Sequence, residues 1–327
     1  MGNKKPLLSI CIPTYNRAEY LDKSLASIVT QKEFHKEDVE VVISDNASTD
    51  NTEEIVRNYQ NQYKNIIYSK NTENVFEKNH PIVIGNAHGI FRKLCNDTII
   101  FNSNAIQYML NTINENILNR PILFFLNKSN KRRKKEKYNV TSFDSFLKIS
   151  SFWTTWIGGF GIWEEDFEII TDKFEGCSLF LWHTKILLEL VAKKKTGVID
   201  NRQLFLIQAV FKKDLTYGLF NVFYNNYLGL CEKYVKIQLL SNNSFKYLKK
   251  YLLFDFFLTY LIAFRFSYNK YQFSPDEDIK KLILNAYRHD TYYNYFLFLL
   301  KAHILLIHIK KFVKNKIHFL EQYTSLF

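Results

Sequence analysis

Two short polar segments carry side chains that are suited to binding a nucleotide. The first is Pro13-Thr14-Tyr15-Asn16-Arg17, and the second, residues 45–50, reads DNASTD. Between them they offer carboxylates, amides, hydroxyls and one guanidinium, which can serve both a base and phosphates. Ordinary polar loops have a similar composition. These residues alone are therefore consistent with either an ordinary loop or a nucleotide site.

Alternating strands and helices are predicted around these segments. Each segment follows an apolar run typical of a buried strand. Strand, helix, strand, helix, strand at this spacing favours a parallel sheet, which binds ligands at the carboxyl ends of its strands. The predicted strands are Leu7 to Ile12, Val39 to Ser44 and Ile66 to Ser69, and the helices between them are Ala18 to Gln31 and Thr52 to Tyr63.

The rest of the chain divides into two predicted parts. A helix over residues 104–116 and a strand from Pro121 to Asn127 continue the α/β pattern, and a basic segment follows at 128–137. From about residue 215, long aromatic and aliphatic helical patterns alternate with lysines. We therefore expect an α/β domain over residues 1–215 and a helical C-terminal region over residues 216–327.

Composition limits the classes of protein. Apolar residues make up 47% of the chain, which allows a sizeable core and argues against disorder. The four cysteines are widely spaced and form no CxxC pair, so neither a disulfide framework nor a cysteine zinc site is expected. The net charge of +12 indicates either a polyanionic partner or a solvated lysine-rich surface. No nucleic-acid-binding motif accompanies it, and nucleic acid is not an expected partner.

The hydropathy pattern bears on location. No apolar stretch of a signal peptide and no run of 18 apolar residues is present, which predicts a cytoplasmic protein. Ala302 to Leu320 alternates apolar residues with lysines and is free of acids. Such a helix either lies on anionic membrane, here the cytosolic face of the inner membrane, or serves packing or oligomerisation.

The N-terminal half resembles the family 2 glycosyltransferases of the GT-A fold. The resemblance begins at residues 8–17, LSICIPTYNR, and continues at residues 41–52, VVISDNASTDNT, the counterpart of the family's D-x-S-x-D-x-T segment. Asn74, Asn79 and Ala87-His88-Gly89 fit a further pattern of the family. The resemblance covers about residues 7–100 clearly and weakens towards residue 215. It implies a GT-A fold with a mostly parallel central sheet.

The same resemblance implies how a nucleotide is held. In the family, the P-T-Y-N-R turn and the first aspartate of the second motif bind it. Asp45 would accept a hydrogen bond from the imide N–H of uracil, and Arg17 would neutralise the diphosphate. The implied nucleotide-binding residues are Pro13, Thr14, Tyr15, Arg17, Asp45 and Asn46.

The family's metal motif is altered in this chain. Where the family has D-x-D holding Mn²⁺ or Mg²⁺ on the diphosphate, this chain has Asn96-Asp97-Thr98. Asp97 is therefore the implied metal carboxylate, beside an amide and a hydroxyl that bind hard cations more weakly. The alternative is weak metal dependence, with positive charge from Arg92, Lys93 or the basic segment.

The catalytic base and the acceptor side are less closely defined. Asp166, within Glu164-Glu165-Asp166, and His183 are the candidate bases. Their alternatives are an acidic helix N-terminus and a core histidine, respectively. Trp153 and Trp156 could stack on an acceptor sugar or belong to a buried aromatic cluster.

These inferences predict a glycosyltransferase that uses a nucleotide-diphosphate sugar, with UDP as the expected nucleotide. The expected reaction inverts the configuration at the anomeric carbon of the transferred sugar. The expected acceptor is a surface glycan, free or lipid-linked, of the capsule, lipooligosaccharide or O-antigen type. Two alternatives stay open: a transferase of a phosphate-bearing group on the same scaffold, and a non-catalytic protein that binds nucleotides or glycans.

Overall fold

The computed structural model describes residues 5–211, 213–266 and 270–324, with side chains as far as Lys310. In chain order its strands and helices are β1 (Leu8–Thr14), α1 (Ala18–Val29), β2 (Val39–Asp45), α2 (Thr52–Gln60), β3 (Ile66–Lys70), α3 (Asn79–Gly85), β4 (Phe91–Leu94), β5 (Ile99–Phe101), α4 (Ala105–Asn116), β6 (Ile122–Phe125), β7 (Lys137–Val140), α5 (Phe143–Ser150), β8 (Gly161–Trp163), α6 (Glu164–Glu168), α7 (Trp182–Lys194), β9 (Gly197–Asp200), β10 (Phe205–Ile207), β11 (Lys213–Leu215), α8 (Leu219–Asn221), α9 (Leu228–Lys236), α10 (Asn242–Tyr251), α11 (Leu258–Phe266), β12 (Tyr271–Phe273), α12 (Ile279–Tyr287) and α13 (Tyr293–Thr324). Two π-helical segments, Val222–Tyr227 and Leu252–Phe257, also occur.

The central sheet has the strand order β3-β2-β1-β4-β8. The first four strands are parallel, and β8 runs antiparallel to β4. The predicted α/β architecture with a mostly parallel sheet is thus confirmed. The loops that follow β1, β2 and β4 meet at one edge of the sheet, which is called the carboxyl edge below. The residues that follow β8 emerge at the opposite edge.

The core forms around β1 because this strand has neighbours on both sides and helices on both faces. Leu8, Ile10 and Ile12 are fully buried. The apolar stripe predicted on the first helix packs against the sheet, with Leu21, Leu25 and Ile28 fully buried. Full burial of one such side chain stabilises the fold by about 1.5–3 kcal/mol, and these contacts hold the first polar loop in place.

Two smaller sheets complete the α/β part. A three-stranded sheet has the order β6-β9-β7, and β10 pairs antiparallel with β5. The predicted strand from Pro121 to Asn127 corresponds to β6, and a loop joins it to β7. All four cysteines, each within the described part of the chain, are buried thiols.

The chain divides into two compact units. The first comprises Met1–Val210 with Asn226–Leu248, and the second comprises Phe211–Asn225 with Lys249–Phe327. The domain boundary expected at residue 215 stays a prediction. Within the second unit, Phe220 stacks on Phe257 at a centroid distance of 5.6 Å.

Helix α13 contains the whole segment from Ala302 to Leu320 that was predicted to be a basic helix with an apolar face. The side chains of Lys311, Lys314 and Lys316 lie outside the described residues. Among the helices of the described ranges, none combines the length and the apolar character needed to cross a membrane.

Candidate functional site

The loop after β1 is held against the loop after β2 by a set of short hydrogen bonds. Asn16 has a positive φ of 50°, which turns the chain sharply. Its backbone N–H donates to Ser48 Oγ at 2.8 Å, and its Oδ1 accepts from the backbone N–H of Thr49 at 2.8 Å. The first two predicted segments therefore form one surface at the carboxyl edge. Tyr15 is 43% exposed on it and offers a ring face to a ligand.

Asp97 links the third polar segment to the first. Its Oδ2 accepts from Thr14 Oγ1 at 3.0 Å, and its Oδ1 accepts from Arg17 Nη1 at 3.1 Å. The Asp97 side chain is buried, whereas that of Arg17 is 38% exposed. Burial raises the pKa of the Asp97 carboxyl, although Arg17 and Thr14 act in the opposite direction. The structure thus brings together three of the predicted site residues from two strand ends.

The surroundings of Asp97 fit a hard cation in part. Asn96 Oδ1 is buried and has no hydrogen-bond partner in the described part of the chain, which leaves an amide oxygen unused on the residue before Asp97. Both are ligands that Mg²⁺ and Mn²⁺ accept. Thr98 is also buried. The donor set is therefore compatible with a metal, with one carboxylate where the family has two.

Asp45 is fully buried, with both carboxylate oxygens engaged. Oδ1 accepts from the backbone N–H of Ser48 at 2.8 Å, and Oδ2 accepts from Tyr68 Oη at 2.8 Å. Burial and the adjacent Asp45 raise the pKa of Tyr68, so its phenol stays a donor. Each carboxylate oxygen of Asp45 has a second lone pair that can accept another hydrogen bond. A nucleobase could donate to one of these lone pairs only where the Tyr68 side chain leaves the oxygen accessible.

Asn46 holds the loop that follows β3. Its Nδ2 donates to Asn74 Oδ1 at 2.7 Å, and its Oδ1 accepts from the backbone N–H of Val75 at 2.8 Å. Ser44 Oγ donates to Asn79 Oδ1 at 2.6 Å. Asn74 and Asn79, which belong to the family pattern, thus position the residues between β3 and α3.

The aromatic segment that contains Trp153 and Trp156 lies beside β4. Lys93 is fully buried, and its Nζ donates to the carbonyls of Leu94 and Gly158 at 2.8 and 2.5 Å. Both tryptophans are half-buried, and Trp153 Nε1 is buried without a hydrogen-bond partner among the described residues. The two bonds from Lys93 fix the segment near the carboxyl edge of the sheet.

The two predicted bases lie in different places. Asp166 belongs to α6, which follows β8 and therefore starts at the edge of the sheet opposite the polar loops. Its carboxylate pairs with Lys194 Nζ at 2.5 Å. The structure does not bring Asp166 to the other site residues. Because a base must reach the acceptor hydroxyl, this placement argues against the predicted role of Asp166.

His183 is connected to the acceptor side through the aromatic segment. It is the second residue of α7, and its Nε2 lies 2.9 Å from the carbonyl oxygen of Thr155. Burial lowers the pKa of His183 to about 4, while Glu77 acts in the opposite direction. The imidazole is therefore neutral at physiological pH and could accept a proton. However, the His183 side chain is only 5% exposed, which leaves a ligand little access to it.

Sequence reasoning missed Tyr68 and Glu77. Nothing in the pattern of β3 marks Tyr68 as the partner of Asp45, because that contact depends on strand order. Glu77 and His80 have the Glu-x-x-His spacing that places two side chains on one helix face, which is a signal the sequence does contain. Their neighbour His183 is about a hundred residues away, so the group can be seen only in the fold.

The order and direction of the strands define an α/β fold with a mostly parallel central sheet and polar loops at its carboxyl edge. The family described as Glycosyl transferase family 2 matches residues 9–88. These residues include the first two polar segments and end at His88, so this part of the chain is similar to the family 2 glycosyltransferases.

Named relatives match short stretches of the chain. The chain is 53% identical over 70 residues to the abequosyltransferase RfbV of Salmonella typhimurium, a match that covers 21% of each protein. It is 49% identical over 59 residues to the validoxylamine A glucosyltransferase of Streptomyces hygroscopicus, covering 18% of this chain and 14% of that protein. The matches therefore span about a fifth of the length of these relatives or less.

Solved structures are similar in fold to most of the chain. S. aureus TarS 1–349 superposes with a TM-score of 0.54 at 18% identity, covering 85% of this chain and 78% of that one. The mannosyltransferase PcManGT of Pyrobaculum calidifontis, solved with GDP-Man and Mn²⁺, has a TM-score of 0.53 at 13% identity and covers 93% and 81%. These confirm the GT-A fold.

Proposed function

We propose that the chain is a glycosyltransferase that moves a sugar from a nucleotide-diphosphate donor to a glycan acceptor. The observation that carries the proposal is the convergence of Thr14, Arg17 and Asp97 at the carboxyl edge. It joins the family's nucleotide turn to the position of its metal motif. Arg17, with its partly exposed guanidinium, is placed to meet diphosphate oxygens as a fork.

A uridine nucleotide is the proposed donor carrier. Asp45 is an acceptor-only group and suits the single imide N–H of uracil. TarS has been solved with UDP and with UDP-GlcNAc, so this fold accommodates such a donor in another protein. Tyr68, which donates to Asp45, would control access to that carboxylate.

A divalent cation would be held by Asn96 and Asp97. It would neutralise charge that develops on the diphosphate leaving group. The protein's own residues contribute the rest: Arg17 binds phosphate oxygens and also offsets the charge of Asp97. Mn²⁺ accompanies the donor in the PcManGT structure, which has the same fold.

The proposed acceptor is a surface glycan of the capsule, lipooligosaccharide or O-antigen type. Trp153 and Trp156 are fixed beside β4, where their ring faces could stack on a sugar. A lipid-linked glycan would suit a cytoplasmic enzyme that docks on the inner membrane through α13. Inversion at the anomeric carbon, with His183 or Asp166 as base, stays a prediction. The contacts of neither residue support that role, since both nitrogens of His183 face protein groups.

The proposal is tested by a thermal-shift and calorimetric screen of nucleotide sugars, each with and without Mn²⁺. We expect UDP-sugars to raise the Tm and GDP-sugars to bind more weakly. Asp45→Asn should lower UDP affinity about tenfold, the effect of losing one hydrogen bond to a charged group. Tyr68→Phe is the matched control, because it removes the neighbouring hydroxyl and keeps the carboxylate.

Donor hydrolysis measured on the same panel separates an enzyme from a binding protein. Release of free sugar and UDP supports the transferase, and binding without any turnover on a glycan acceptor panel supports the non-catalytic alternative. Release of a phosphate-bearing sugar would support the other transferase. Unchanged turnover, donor affinity and Mn²⁺ response in Asp97→Ala would remove the ligand role of Asp97.

A further inference from the structure

A second group of metal-ligating side chains, Glu77, His80 and His183, lies apart from the residues assigned to the nucleotide. One candidate ligand atom from each lies within 4.8 Å of the others. Glu77 is in the single 3₁₀ turn that precedes α3, and His80 is the second residue of α3. His183 is the second residue of α7. The group therefore joins the starts of two helices that are distant in sequence.

The separations between these atoms are close to those in a metal site. His80 Nδ1 lies 3.0 Å from Glu77 Oε1, and His183 Nδ1 lies 3.9 Å from the same oxygen. Ligands at about 2.1 Å from a tetrahedral ion lie about 3.4 Å from one another. Shifts of about half an ångström in these side chains would bring both of these pairs to that separation.

The hydrogen bonding of His183 fixes which of its nitrogens is free. A carbonyl oxygen only accepts, so the contact of Nε2 with Thr155 O places the ring proton on Nε2. Nδ1 consequently carries a lone pair. Metal-binding histidines typically donate their other N–H to a carbonyl or carboxylate in this way, which orients the ring.

The free nitrogen lacks a hydrogen-bond donor among the residues that the structure describes. His183 Nδ1 is buried and unpartnered there, and the side chain is 5% exposed. Glu77 Oε1, which lies 3.9 Å away, is an acceptor as well. His80 Nδ1 is also buried without a hydrogen-bond partner in the described ranges. A cation between the three side chains would use the lone pairs of both nitrogens and one carboxylate oxygen.

We propose that Glu77, His80 and His183 bind one transition-metal ion of the Zn²⁺ type. Two imidazoles with one carboxylate suit Zn²⁺ and related ions, whereas Mg²⁺ and Ca²⁺ prefer oxygen ligands only. The ion clamps the start of α3 to the start of α7. Because His183 also contacts the Thr155 carbonyl, the clamp steadies the aromatic segment. The fourth coordination position is open to water.

The test uses the full chain without a histidine tag, treated with chelator and then titrated with Zn²⁺ by calorimetry. We expect one equivalent to bind and to raise the Tm, with Mg²⁺ giving neither effect. His80→Gln and His183→Gln should each weaken Zn²⁺ binding at least tenfold. His88→Gln is the matched control, because His88 forms a similar pair with Glu40 at 3.2 Å but has no third ligand in the group.

Co²⁺ provides a second readout that does not depend on stability. A site with these ligands gives the visible absorption of a four- or five-coordinate Co²⁺ ion, and His80→Gln should abolish it even if His183→Gln fails to fold. Asp97→Asn should leave Zn²⁺ binding unchanged. The proposal is overturned if the wild-type chain binds no Zn²⁺, if His80→Gln binds it as tightly, or if Asp97→Asn abolishes the binding.

Discussion

The pair formed by Arg17 and Asp97 shows how one side chain can serve two purposes. A buried carboxylate is costly unless its charge is compensated. Arg17 compensates the charge of Asp97 at 3.1 Å, while more than a third of its own side chain remains in contact with solvent. The guanidinium has five N–H donors, so the contact with Asp97 leaves others for phosphate. The nucleotide turn is thereby tied to the metal motif.

Removal of the Arg17 guanidinium should therefore weaken donor binding more than it lowers the stability of the fold. We expect Arg17→Gln to raise the Kd for UDP-sugars by about tenfold to a hundredfold, since hydrogen bonds to charged groups contribute about 1.5–3 kcal/mol. Calorimetry at fixed ionic strength measures this. Arg120→Gln is the control, because Arg120 pairs with Glu165 of α6, which starts at the edge of the sheet opposite the polar loops. Equal donor affinity in both variants would contradict the assignment.

The sequence identified the residues of this pair but not their contact. Thr14, Arg17 and Asp97 stand out because a family motif contains them. That Thr14 and Asp97, which are 83 positions apart, share a hydrogen bond depends on β1 and β4 being neighbours. Tyr68 was missed for the same reason, because its hydrogen bond to Asp45 requires β3 to lie beside β2. Side-chain partners across a sheet follow from strand order, which local patterns do not encode.

Gly89 shows a constraint that acts on elements of structure. It precedes β4, and its backbone N–H donates to Ser9 Oγ at 2.8 Å. A Cβ at this position would lie 2.3 Å from Ser9 Oγ and 2.8 Å from the backbone nitrogen of Ser9. The glycine of the family pattern thus lets the approach to β4 pass closely over β1.

Gly89→Ala should accordingly destabilise the first unit, by about 1–3 kcal/mol or more, as overpacking in a closed site does. Urea denaturation followed by circular dichroism measures the change. Gly229→Ala is a matched control within α9, where a new Cβ meets no atom within 4 Å. There we expect a gain of up to about 1 kcal/mol from helix propensity. A neutral Gly89→Ala would refute the steric argument.

Asp50 acts on the starts of two helices at once. Its Oδ2 accepts from the backbone N–H of Ala18 at the start of α1, and its Oδ1 accepts from the backbone N–H of Thr52 at the start of α2. The pKa of Asp50 is lowered: partial burial opposes this, but the bonds from Thr52 and Ala18 outweigh it. The carboxylate of Asp50 therefore satisfies one backbone N–H at the start of each of the two helices.

We expect Asp50→Asn to cost about 1 kcal/mol at neutral pH, the usual effect of a lost cap. Because the folded-state pKa is depressed, this contribution is complete above the unfolded pKa of about 3.9 and is lost as the pH falls through the folded value. The stability difference between wild type and variant should thus shrink below about pH 4. Urea titrations from neutral pH to pH 3 measure it, and a constant difference would count against the carboxylate cap.

The predicted elements of the first hundred residues are confirmed, since buried parallel strands and amphipathic helices have strong periodic signals. Bounds shifted by a few residues: the second helix, predicted to Tyr63, ends at Gln60. The direction of β8 could not be predicted from its three residues, and it is this direction that separates Asp166 from the carboxyl edge. A short strand carries too few residues to reveal its pairing.

At the scale of the whole molecule, the net charge of +12 fits the proposed diphosphate donor. A positive excess would attract such an anionic donor over long range. Helix α13 adds a separate feature, because Phe298, Leu305 and Leu306 are each more than half exposed on it. Exposed apolar side chains in a strongly basic chain favour an anionic lipid surface as the partner.

The full chain should therefore float with vesicles that contain anionic lipid and fail to float with neutral ones. Raising the salt from about 0.1 M to 1 M should reduce the bound fraction, because the Debye length falls from about 10 Å to 3 Å. We expect Leu305→Ser with Leu306→Ser to reduce binding at least tenfold, since a leucine contributes about 1.5–3 kcal/mol when it is fully inserted and less when it is partly inserted. Leu118→Ser is the control, because Leu118 is 94% exposed but follows α4 in the first unit. Equal loss of vesicle binding in the α13 variant and in Leu118→Ser would contradict the proposal that α13 contacts the membrane.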